Sequence, residues 1–235
     1  MGLTFGRSGV YAVLSLVERL TRPVPLGQQT TSMNTAATPD RPWLSLLYEV
    51  ADVIFPLAET GLVLYLLYLA HGSARRLIGL DATRLGRDLL AGFGLLAAIG
   101  LPGLGFYLVA RQLGLNTTVA AANLGEAWWT APALVLAAIM AGLSEEVVML
   151  GYLVTRLKDR GMGAWAAIAW SAGLRGAYHL YQGFGGAIGN LVMGLVFGYC
   201  YQRWGRVLPL VVAHALIDTV AFLGYALAAP HLSWL

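Results

Sequence analysis

Long apolar runs separated by short polar or basic stretches fill the chain from residue 44 onward. Residues 89–110, "LLAGFGLLAAIGLPGLGFYLVA", carry no charge, and neither do residues 180–202. A helix crossing a hydrocarbon core of about 30 Å needs about 20 apolar residues, so both windows are long enough. The strict alternation of a lipid-facing barrel strand is absent. The pattern predicts six spanning helices, at 44–70, 89–110, 129–156, 164–180, 186–202 and 207–228. The fourth is short, and Gly183, Gly185 and Gly186 leave only a tight connection to the fifth. The expected fold is therefore all-α, a polytopic transmembrane helix bundle.

Ahead of the spans, residues 1–20 alternate apolar and polar positions as a short helix lying at the interface would. Residues 21–42, "TRPVPLGQQTTSMNTAATPDRP", hold few large apolar side chains and read as a linker. The expected division is an N-terminal amphipathic segment and linker at 1–43 and a transmembrane helical domain at 44–235. No internal repeat is visible, which weakens any inverted-repeat transporter fold.

Composition agrees with the pattern. Of the 235 residues 58% are hydrophobic and 11% charged, against about 25% charged in a typical soluble domain. Mean hydropathy is +0.67. The net charge of +3 comes mainly from arginines in short loops and carries no basic stripe with interleaved aromatics, so nucleic acid is excluded as a partner. Arg75, Arg76, Arg84 and Arg87 fall in one loop, Arg156, Lys158 and Arg160 in another, and Arg203 and Arg206 in a third. Those loops alternate along the chain and are expected on the cytoplasmic side. The single cysteine, Cys200, fits no metal-ligand spacing.

Ionisable side chains inside spans cost about 2.5–3.5 kcal/mol each on insertion scales, so each calls for a reason. Glu49, Asp52 and Glu59 lie in the first span and read as lining or flanking groups. Glu145 and Glu146 lie in the third, Arg175 and His179 in the fourth, His214 and Asp218 in the sixth. His214 and Asp218 are four apart and share a helical face, as do Arg175 and His179. Glu145 and Glu146 point about 100° apart. One can face a reaction site while the other braces it. A rise of about 1.5 Å per residue puts Glu145 about 16 Å from Arg156, His179 about 21 Å from Trp165 and Asp218 about 14 Å from Pro209. Three helices are thus expected to bring polar groups to a similar buried level, as an intramembrane site requires. In the fifth span Gly186, Asn190, Gly194 and Gly198 recur every four residues, which predicts close helix packing.

The stretches "EEVVMLG", "RGAYHLYQG" and "HALID" resemble, in order, the three motifs of the CPBP family of intramembrane proteases, which includes the CAAX prenyl proteases. The resemblance covers about residues 129–228, the expected protease-like core. It implies an intramembrane endopeptidase in which Glu145 and His179 activate a water that attacks the peptide carbonyl directly. It implies that His214 and Asp218 stabilise the oxyanion, Asp218 alternatively orienting His214. A carboxylate in a low-dielectric site gains proton affinity and suits the role of base, and donors fixed in a dry site stabilise developing negative charge. Two positions depart from the family pattern: Leu150 replaces an arginine after the Glu pair, and Arg175 replaces a phenylalanine before the His. Arg175 is therefore expected to form the ion pair with Glu146 that the family's arginine would form.

No cofactor is required by this reading. A metal-dependent version would hold Zn²⁺ with His179, His214 and Glu145, although the His-Glu-x-x-His helix motif is missing. The expected partners are membrane lipid and a peptide or protein substrate, lipidated in the CAAX case. The expected location is a bacterial plasma membrane, as a multi-pass protein. The non-enzymatic alternative is a membrane scaffold or bacteriocin-immunity-type protein retaining the motifs. A proton-coupled transporter using the same acids and histidines as a relay is the third class.

Overall fold

A computed structural model describes residues 2–125, 127–229 and 231. Helix α1 covers Arg7–Leu20 and α2 covers Pro42–His71. Helix α3 runs over 85–112, with a wider i→i+5 winding at Leu96–Gly100. Helix α4 is the continuous Thr130–Asp159, wound the same way at Val147–Val154. Helices α5, α6 and α7 cover Ala164–Tyr178, Phe184–Trp204 and Leu208–Ala228. Among the described residues, five helical segments are long and apolar enough to cross a membrane: Pro42–His71, Ala74–Gln112, Thr130–Asp159, Phe184–Trp204 and Leu208–Ala228. The predicted fourth span is a shorter helix of 15 residues, because the chain turns at His179 rather than continuing.

The helix limits follow local chemistry. Pro42 and Pro209 sit in first turns, where the missing N–H has no intrahelical partner to lose. α2 and α6 stop at Gly72 and Gly205, whose φ values of 73° and 65° suit a residue without Cβ. Inside α2, Pro56 removes one backbone donor, and its own carbonyl accepts from Thr60 Oγ1 at 2.8 Å.

The chain divides into two compact units. The first comprises residues 1–31, 97–119 and 149–205. In it α5 and α6 pack closely along the glycine stripe: a Cβ on Gly194 would meet Ala172 Cα at 3.0 Å, and one on Gly198 would collide with Ile168. α1 buries Gly9, Ala12 and Leu16, with Gly9 facing Leu174 and Ala177. Its outward face carries Val10, Val13, Leu14 and Val17, a surface suited to lipid. Within the segment expected as a linker, Leu26, Gln29 and Thr31 are buried.

The second unit comprises residues 32–96, 120–148 and 206–235. Its centre is α7 against α4 and the first half of α3. Gly142 on α4 admits the α7 backbone, since a Cβ there would lie 2.9 Å from both Val211 O and Ala215 N. The start of α7 is anchored by Arg206, whose Nε donates to Asp88 Oδ1 at 3.0 Å and whose Nη2 donates to Asp88 Oδ2 and to the Asp81 carbonyl, each at 2.7 Å. The bonds to Asp88 hold the Arg206 guanidinium above its ordinary pKa. The Val207 N–H also donates to Ile78 O at 2.7 Å, and Gly79 (φ 63°) leaves room for Arg206.

Candidate active site

Within the second unit Glu146 of α4 and His214 and Asp218 of α7 form a short chain, buried at its first two members. Glu146 has no exposed surface, and its Oε1 accepts a hydrogen bond from His214 Nδ1 at 2.7 Å. His214 is itself buried, and its Nε2 lies 3.4 Å from Asp218 Oδ2 one turn further along α7. Gly142 makes this possible. It lies one turn before Glu146 and brings α7 near enough for a side chain as short as glutamate to reach the imidazole. Glu145 is half-buried where Glu146 is sealed, the difference that their 100° offset predicts. Beyond the pair, Val147, Val148, Met149 and Leu150 are all buried, and the helix widens at that point. Such widened turns recur at functional sites.

Within the first unit, α5 carries the other candidates. Arg175 is fully buried, with its guanidinium 5.9 Å above the centre of the Phe197 ring, which gives the charge a cation–π partner. The Arg175 carbonyl lies 3.0 Å from His179 Nδ1. A carbonyl only accepts, so Nδ1 carries the proton and, in the neutral ring, Nε2 carries the lone pair. That is the tautomer a water-activating base needs. Tyr178 and Tyr181 flank the His179 ring, with ring centres at 4.7 and 6.1 Å.

Several groups that shape these surroundings have no signal in local spacing. Ser171 Oγ donates to the Met149 carbonyl at 3.0 Å, inside the widened stretch of α4. Arg206, counted in the sequence as a loop charge, is buried and bonded to Asp88, 118 positions away. A serine in an apolar helix and an aspartate at the edge of a span hint at such roles, but only the tertiary fold supplies their partners. Of the acids in α2, Asp52 and Glu59 are exposed. Glu49 is half-buried, and its carboxylate oxygens are shielded with no hydrogen-bond partner. Asn190, in the glycine stripe, bonds back to Gly186 O at 3.0 Å and acts within its own helix.

Residues 127–220 match the Rce1-like family of type II CAAX prenyl endopeptidases. The Rce1-like region is less than half of the chain, yet it contains Glu145, Glu146, Arg175, His179, His214 and Asp218. It agrees with the resemblance carried by the three motifs. No curated protein and no solved structure matches the chain. At the level of the family, the Rce1-like match supports a CAAX-type intramembrane endopeptidase acting on membrane-associated peptides or proteins. Together with the five apolar helices it makes the chain an integral membrane protein.

Proposed function

We propose that this chain hydrolyses peptide bonds of membrane-associated substrates with a water activated by Glu145 and His179, and without a covalent intermediate. The observation that carries the reading is the Glu146–His214–Asp218 chain, which lies within the region that matches the Rce1-like family. In this reading Glu145 takes the proton of the water as its oxygen attacks the substrate carbonyl. The tetrahedral intermediate collapses when that proton passes to the leaving amine. His179, protonated on Nδ1, holds the water through Nε2. Glu146 fixes the His214 ring, so that His214 presents its other nitrogen to the oxyanion, and Asp218 orients it. The long 3.4 Å separation from Asp218 leaves that donor easy to redirect toward substrate.

The same geometry argues for the metal-free version. His214 donates Nδ1–H to Glu146 and, in this reading, gives Nε2 to the oxyanion, so neither ring nitrogen is left for zinc. No mechanistic step is therefore assigned to a metal. The deciding experiment incubates the purified protein, in detergent, with a peptide library, and compares wild type with Glu145→Ala and His179→Ala. Cleavage by wild type alone, surviving a strong chelator, is the expected result. Identical behaviour of all three proteins would sink the protease reading in favour of a binding scaffold. Loss of wild-type activity to the chelator would instead restore the metal-dependent version. The scaffold draws its support from Leu150, a buried apolar side chain where the resemblance puts an arginine.

Arg175 enters the proposal as the cation that takes over from the missing arginine. Arg175→Leu is expected to lower thermal stability and activity together, and Leu150→Arg added to it to restore part of both. An Arg175→Leu protein that melts and cleaves like wild type would remove Arg175 from this role.

A further inference from the structure

The turn that presents His179 is closed by residues remote from it in sequence. His179 N–H donates to Gly176 O at 3.2 Å, and the His179 carbonyl accepts from Gln182 N–H at 3.1 Å. These bonds end α5 and close the single 3₁₀ turn Leu180–Gln182. Gly183 follows at φ 111°, where a Cβ would lie 2.8 Å from Leu115 O. The Gln182 carbonyl then accepts twice from Thr117, at 2.9 Å from its N–H and 3.0 Å from its Oγ1. Thr31 Oγ1 lies 2.7 Å from Thr117 Oγ1 and 3.3 Å from Tyr181 O. With the Thr117 hydroxyl proton used on Gln182, the single Thr31 proton is shared between Thr117 Oγ1 and Tyr181 O. Asn116 completes the cradle, with its Oδ1 accepting from Gly186 N–H at 2.6 Å and its Nδ2 donating to Thr117 O at 2.9 Å.

Thr31, Asn116 and Thr117 are buried at 3%, 1% and 0% exposure, and all lie outside the region that matches the protease family. A buried hydroxyl is costly unless bonded, and here the bonds run in one direction, from Thr31 through Thr117 and Gln182 to the His179 carbonyl. The His179 ring is tied on its other side by Nδ1 to the Arg175 carbonyl. The backbone and ring of one histidine are thus held from both ends.

We propose that Thr31 and Thr117 are positioning residues for His179, so that the N-terminal segment is a working part of the active site. This rests on the assignment of His179 to the activated water. The test uses the full-length protein in detergent, with steady-state cleavage of a peptide that wild type hydrolyses, at a temperature well below the unfolding midpoint of every variant. Thr31→Val, Thr117→Val, Thr31→Ser and Thr117→Ser are compared, and the ¹⁵N ring signals of His179 are followed in each. Misplacing a reacting group by about 1 Å costs on the order of 100-fold, so the valine variants should lose about 10- to 100-fold in kcat, with KM within about twofold of wild type. The serine variants, which keep the hydroxyl, should recover most of it, and the His179 ring signals should move only in the valine variants. Valine variants with wild-type kcat and ring signals would overturn the proposal. So would a loss of activity that tracks a loss of stability while the ring signals stay in place. Should wild type cleave no peptide, the protease reading fails by itself. The ring signals then decide the positioning claim: movement in Thr117→Val supports it, and none refutes it.

Discussion

Glu145→Gln is expected to lower peptide hydrolysis by about 10²–10⁴-fold, the usual contribution of a general base, with little change in KM or in thermal stability. Glutamine keeps the shape and the hydrogen-bonding reach of glutamate but cannot accept the proton of the attacking water. The small stability effect follows from the half-buried setting of Glu145, in contrast to the sealed one of Glu146. Glu146→Gln is the informative partner, since a glutamine Oε1 can still accept from His214 Nδ1. It should remain folded and retain more activity than Glu145→Gln. Steady-state kinetics of the two proteins side by side test the division of labour. If Glu146→Gln is dead and Glu145→Gln active, the base has been assigned to the wrong acid.

What the sequence reveals and what it hides follow from the range of the interactions. Apolar windows locate the crossing helices, because burial in lipid acts on every residue of a span. The His214–Asp218 spacing of four residues puts both on one face, and they lie 3.4 Å apart. The offset of Glu145 from Glu146 predicts one sealed and one accessible acid, which is how their burial differs. Periodicity names a face but never the partner on it. The sequence does not reveal that Glu146 Oε1 meets the His214 imidazole, a contact across 68 positions made possible by Gly142. The widened winding at Val147–Val154 has no compositional mark, because it is sustained by tertiary bonds such as Ser171 to Met149 O. The threonines at 31 and 117 are invisible for the same reason. Each looks like an ordinary polar residue between helices until the turn after His179 is laid against it.

His214→Ala should be the most destabilising single change in the proposed site. It leaves a fully buried carboxylate without the donor that now sits 2.7 Å from Oε1. Removing one partner of a buried, hydrogen-bonded charge pair typically costs about 3–5 kcal/mol. The expected observation is a clearly lowered unfolding midpoint in detergent, along with lost hydrolysis. Activity alone cannot separate the two effects; a second protein, Glu146→Leu with His214→Leu, does. Replacing both members with apolar side chains removes the carboxylate together with its donor, an exchange that is often neutral for stability. The double variant should therefore melt higher than His214→Ala and still hydrolyse nothing. That combination would show that the pair is kept for chemistry rather than for the fold. A His214→Ala protein as stable as wild type would show that the 2.7 Å contact carries no weight. A double variant that cleaves peptide would remove His214 from the oxyanion role and return the question to the half-buried Asp218 beside it.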